Sequence, residues 1–133
     1  MYIIFMLFSL LIFLMGCEQK LTNPNETKTE IYIGYAVCDS GKIYKSTDGG
    51  KNWVLKSSGV QTRLNSVYAF SASVAIAVGD NGAILKTNDG GNNWVIQNSG
   101  TNVNLKKITF NSQTNQCWII GEQGVVLNTS NYY

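Results

Sequence analysis

The sequence predicts an all-β fold: a partial β-propeller of about two and a half four-stranded blades, following an N-terminal signal or anchor segment. Three observations carry this expectation. A turn-rich stretch, Ser46-Thr47-Asp48-Gly49-Gly50-Lys51-Asn52-Trp53, returns as Thr87-Asn88-Asp89-Gly90-Gly91-Asn92-Asn93-Trp94. Asp48 to Asp89 and Trp53 to Trp94 are both 41 residues apart, and a fixed period of this size marks a repeat architecture. The runs between the turns are short, apolar and rich in β-branched residues, the pattern of strands in an all-β domain.

Taken in order, residues 1–16 read as a signal peptide. Met1 to Met15 is almost wholly apolar, too short for a comfortable permanent span and suited to a signal core. Leu14-Met15-Gly16-Cys17 resembles the bacterial lipobox L-x-G-C. That resemblance implies that Cys17 receives the lipid and becomes the mature N-terminus. Acyl chains would then hold an exported protein to a membrane of the bacterial envelope. Residues 17–30 are polar, carry the only proline (Pro24) and lack periodicity, as a flexible tether does.

Residues 31–133 are assigned to the blades. Ile33 to Val37, Val74 to Val78 and Cys117 to Ile120 are strands, turned by Asp39-Ser40-Gly41, Asp80-Asn81-Gly82 and Glu122-Gln123-Gly124 into the next strand. Asn81-Gly82 is a strong hairpin signal, because a type I′ turn needs positive φ at both central residues. Leu64 to Phe70 and Leu105 to Phe110 open blades two and three, and one whole blade runs from Leu64 to Gln97. Val74–Val78 and Trp118–Ile120 are apolar on both faces, as central strands between blades should be. Cys38 and Cys117 are expected to be buried thiols, too far apart for a disulfide. Blade one lacks a first strand and blade three its last. Closed propellers need about four to eight blades. We therefore read the array as truncated, the alternative being that identical copies pair through their open blade edges.

Each repeated stretch links two strands by a loop. An Asp there accepts hydrogen bonds from N–H groups a few residues on, and a Ser or Thr hydroxyl joins the same network. The paired glycines permit positive φ, and the tryptophan opens the return strand, where its ring covers the hairpin and the neighbouring sheet. Neither Asp heads an EF-hand ligand series, since two glycines and Lys51 or Asn92 follow. Ser46, Asp48, Gly50 and Trp53, and again Thr87, Asp89, Gly91 and Trp94, resemble the Asp-box, or BNR repeat, S-x-D-x-G-x-x-W. The wider repeat is similar to the propeller repeats of photosystem II assembly factors. The resemblance implies a propeller; its function is open, because Asp-boxes decorate sialidases, glycoside hydrolases, sorting receptors and assembly factors.

Little chemistry is legible. The chain of 133 residues has no histidine, three scattered cysteines and one arginine, Arg63. No imidazole base, zinc motif or phosphate loop follows from that inventory. A sialidase arginine triad cannot be built from one arginine. A net charge of +2 with 14% charged residues builds no nucleic-acid stripe. No catalytic residue, cofactor or metal is expected. A sugar site on Tyr32, Tyr68, Tyr132 or Tyr133 is weaker than packing of those rings between strands. The reading is a lipid-anchored envelope scaffold that binds a protein or glycan partner. The alternative is the N-terminal piece of a larger exported hydrolase.

Overall fold

The computed structural model describes residues 32–129. The signal peptide, lipidation of Cys17, the tether, Tyr132 and Tyr133 lie outside the described residues. Among the described residues ten strands form three antiparallel sheets. Blade one comprises β1 (Gly34–Val37), β2 (Ile43–Ser46) and β3 (Val54–Lys56). Blade two comprises β4 (Leu64–Ala69), β5 (Ala75–Gly79), β6 (Ile84–Thr87) and β7 (Val95–Gln97), paired in chain order. Blade three comprises β8 (Leu105–Asn111), β9 (Gln116–Gly121) and β10 (Val126–Thr129). The partial propeller of an all-β chain is therefore what folds, with three, four and three described strands per blade.

The three equivalent turns explain the register. Asn81 (φ 57°, ψ 32°) and Gly82 (φ 70°) both take positive φ, and the N–H of Ala83 closes onto the carbonyl of Asp80. Ser40-Gly41 and Gln123-Gly124 repeat this geometry. The turns therefore align the blades: Val37–Ile43, Val78–Ile84 and Ile120–Val126 are corresponding cross-strand pairs. A strand alternates its side chains, so each blade has a front face toward the next blade and a back face toward the previous one.

The core is two layers between blades. Tyr35, Val37 and Ile43 from the front of blade one pack with Val67, Ala69, Ala75, Ala77 and Leu85 of blade two. Ile76, Val78 and Ile84 from the front of blade two pack with Leu105, Ile108, Cys117 and Ile119 of blade three. In the first layer, the bulky front residues of blade one meet the small Ala69, Ala75 and Ala77 on the facing back of blade two. Covered on both sides, β5 is buried at every position.

Two expectations need correction. Trp118–Ile120 is not covered on both faces: Cys117 and Ile119 are buried against blade two, but Trp118 is half-exposed and Ile120 is 42% exposed. No described strand packs on that side. Cys38 is exposed, whereas Cys117 is buried as expected; both thiols are free. The equivalent of Cys38 in blade two is Gly79, where an added Cβ would lie 2.1 Å from the Arg63 carbonyl at the start of β4. No described first strand lies beside β1, so position 38 has room for a side chain and stays in solvent.

Candidate functional site

The two Asp-boxes fold alike. Ser46 Oγ donates to Asp48 Oδ1 (2.8 Å) and accepts the N–H of Gly50 (2.9 Å). Thr87 Oγ1 donates to Asp89 Oδ1 and accepts from Gly91 at the same distances. Asp48 Oδ1 accepts the N–H of Asn52 at 2.9 Å, and Oδ2 the Asn52 amide at 2.7 Å. Asn93 repeats both bonds to Asp89, at 2.9 and 2.6 Å. Gly50 and Gly91 sit at φ +85° and +82°, where a Cβ is strained. These donors stabilise the carboxylates, the backbone N–H of Asn52 or Asn93 above all, and hold both groups down at about 2. Asn52 and Asn93 were not singled out from sequence as partners of the aspartates. Their recurrence at one offset from each Asp was the signal.

The boxes differ in what their indoles meet. Trp94 packs edge-on against Tyr35 of blade one, with ring centroids 5.8 Å apart and planes at 88°. Gly91 beside it brings bare backbone against the Tyr35 ring, since a Cβ there would lie 2.9 Å from Cε1. Lys45 Nζ crosses the same seam to the Gly90 carbonyl at 2.6 Å. Burial pushes the Tyr35 hydroxyl up to about 12, with the Asp89 charge adding to the effect. Trp53 does not cover a neighbouring sheet as expected. Its indole N–H donates to the Gly50 carbonyl (3.0 Å), its ring lies over Gly34 of its own blade, and it is 43% exposed. The indole of a box serves the preceding blade, and no described strand precedes blade one. Tyr35 carried no sequence signal as its counterpart, because Ile76 stands at that position in blade two.

At one end of the blades the turn acids are paired. Asp39 meets Arg63 (3.0 Å), and Asp80 accepts the Asn65 amide (2.7 Å). Glu122 meets Lys106 (2.8 Å) and accepts the Asn104 amide (3.1 Å). The Lys106 ammonium is held above its usual range, first by its bond to Glu122. Asp39–Arg63 ties blade one to blade two, while the Asn65–Asp80 and Lys106–Glu122 contacts lie within blades two and three. Across the seam between blades two and three, Lys106 also reaches Asp80 at 3.7 Å and the Asn65 amide donates to the Leu105 carbonyl at 2.8 Å. An open groove of about 420 Å³ runs between blades two and three, lined by Ile76, Ile84, Ile119 and Leu127 with Lys86 and Asn128 at its polar side. Among the described residues no three His, Cys, Asp or Glu side chains converge as a metal site would require. Tyr68 packs against Phe70 and Phe110 at 4.9 and 5.5 Å.

Residues 57–130 match the family described as photosynthesis system II assembly factor YCF48. The chain belongs to this family. The matched span begins after the first box and takes in all of blade two and the described part of blade three. Among solved structures the chain is similar to YCF48 from Cyanidioschyzon merolae, at 18% identity and a TM-score of 0.60. The match covers 74% of this chain and 33% of that one, so this member spans about a third of its structural relative. At that identity the likeness is one of fold. No curated protein matches the sequence.

Proposed function

We propose that this YCF48-family chain is a non-catalytic scaffold, lipid-anchored through Cys17 in the bacterial envelope, whose blades hold a protein or glycan partner in an assembly role. One observation carries the non-catalytic reading. Every acidic side chain among the described residues is engaged: Asp48 and Asp89 inside their boxes, Asp39, Asp80 and Glu122 at paired turns. A glycosidase needs two carboxylates flanking a bond, one of them free to exchange a proton. Asp48 and Asp89, supplied with backbone and amide donors, are held as anions and serve their loops. The family relation supports assembly over hydrolysis, because the family is described as an assembly factor.

The anchor is tested by growth with radiolabelled palmitate. Wild-type chain becomes labelled and sediments with membranes, and Cys17→Ser does neither; a labelled Cys17→Ser chain overturns the assignment. Fluorogenic sialosides and glycosides are expected to remain intact with purified protein. Turnover that disappears in Asp80→Asn or Glu122→Gln would overturn the scaffold reading.

A further inference from the structure

The outer strands carry large apolar side chains that a neighbouring blade does not cover. β3 and β7 lie outermost in blades one and two and set Val54-Leu55 and Val95-Ile96 at corresponding positions. Cross-strand pairing fixes which way these residues face. Val54 pairs with Lys45 and Lys45 with Tyr35, so Val54 lies on the front of blade one. Ile96 pairs with Leu85 and Leu85 with Ala77, so Ile96 lies on the back of blade two. Both therefore face the seam between these two blades. Leu85 and Ala77 are sealed in that seam, yet Val54 stays 58% and Ile96 63% exposed. The seam closes at the inner strands and is open at the outer ones, even where both of its blades are described. Leu55 and Val95, the equivalents of Ile96 and Val54 one blade away, are exposed to a similar degree. Contiguous apolar surface of this kind marks a docking surface.

We propose, resting on the Cys17 anchor above, that this outer rim lies on the lipid surface that holds the chain, with its apolar side chains entering an anionic headgroup layer. Charge chooses the occupant. An open depression of about 470 Å³ beside β3 sets Leu55 between Lys42 and Lys56, and no acidic side chain lines it. Lys51, exposed, stands in the box that leads into β3. The box acids Asp48 and Asp89 are turned into their own loops by the N–H groups of Asn52 and Asn93. Two copies meeting rim to rim would bring like-charged lysines together, which disfavours a second copy as occupant. The point of entry agrees with a membrane. Tyr32 bridges to Asp48, and its carbonyl accepts the N–H of Gly49 at 3.4 Å, so the described chain enters beside the box that leads into Trp53 and β3. A flexible tether over residues 17–30 has a root-mean-square reach of about 20 Å, which keeps that edge close to the anchored lipid. An acyl anchor joined by a basic, apolar patch is the two-signal arrangement that holds a protein stably to a bilayer.

The test uses the palmitate-labelled chain, purified from membranes and reconstituted in vesicles of phosphatidylglycerol with brominated phosphatidylcholine, whose bromines quench a nearby indole. Trp53 opens β3, so the wild type loses emission in these vesicles; Trp53→Phe removes that loss and Trp118→Phe keeps it. Leu55→Asp and Ile96→Asp, both at exposed positions, restore the emission with the circular dichroism unchanged. Lys51→Gln and Lys56→Gln each lower the ratio of docked to undocked chain about fivefold, the effect of one lysine near an anionic membrane. High salt lowers it as well. A labelled, vesicle-bound chain whose Trp53 is not quenched, or is quenched equally in these variants, overturns docking of the rim on lipid and leaves the anchor standing; a protein would then be what covers the rim. A chain that takes up no palmitate overturns the anchor and this docking together.

Discussion

Removing the two box indoles one at a time separates a seam between blades from decoration of a single blade. Trp94 is mostly covered, so its side chain keeps roughly 150 Å² from water, worth about 4 kcal/mol at ~25 cal/mol per Å². The edge-to-face pair with Tyr35 adds about 1 kcal/mol. A compact unfolded state already hides part of that area, which lowers the sum. Trp94→Ala is therefore expected to destabilise by about 3–5 kcal/mol, the range of large aromatic truncations in a core. Trp53 has the same motif around it, but its ring lies over Gly34 and its N–H meets Gly50, both of its own blade. With much of its ring already in water, Trp53→Ala is expected to cost about 1–2 kcal/mol. The assay is urea unfolding followed by far-UV circular dichroism, at one fixed protein concentration because association shifts apparent stability. Equal losses from the two substitutions would refute the reasoning, since the indoles would then be acting within their own hairpins.

Thr87→Val leaves the buried N–H of Gly91 without its acceptor and should destabilise by about 1–3 kcal/mol in the same assay, whereas Thr87→Ser, which matches Ser46, should be near neutral. The buried Tyr35 hydroxyl has no hydrogen-bond partner, so Tyr35→Phe should stabilise by about 1 kcal/mol; a loss of that size would reveal a partner for the oxygen. Asp48 and Asp89 lie near 2 when folded and rise toward the ordinary 3.8 when unfolded, so their stabilisation is complete above about pH 4 and disappears as the pH falls through about 2. The thermal midpoint should drop across that window, and less steeply in an Asp48→Asn/Asp89→Asn double variant. Gly82 and Gly124 share a positive φ, but a Cβ at Gly82 would lie 1.9 Å from the Thr101 carbonyl while none of the described surroundings crowds Gly124. Gly124→Ala should cost about 1–2 kcal/mol from φ alone, and Gly82→Ala clearly more, as read by the unfolding midpoint.

Sequence periodicity determined the blade count, the strands and the box loops, because each rests on interactions within a few residues. A turn needs its glycine and its Asp wherever it sits, and alternation places side chains on two faces without reference to neighbours. The acidic turns at 39, 80 and 122 were legible as turns for the same reason. What covers each face was settled only by tertiary structure. Trp53 and Trp94 stand in near-identical octapeptides, yet one faces water and the other Tyr35, a residue of another blade. Cys38 reads as a core thiol until the absence of a described strand beside β1 puts it in solvent. Trp118 and Ile120 read as core until no described blade follows. Burial belongs to the neighbour as much as to the residue, and a neighbour 40 residues away, or on another molecule, leaves no mark in the local pattern.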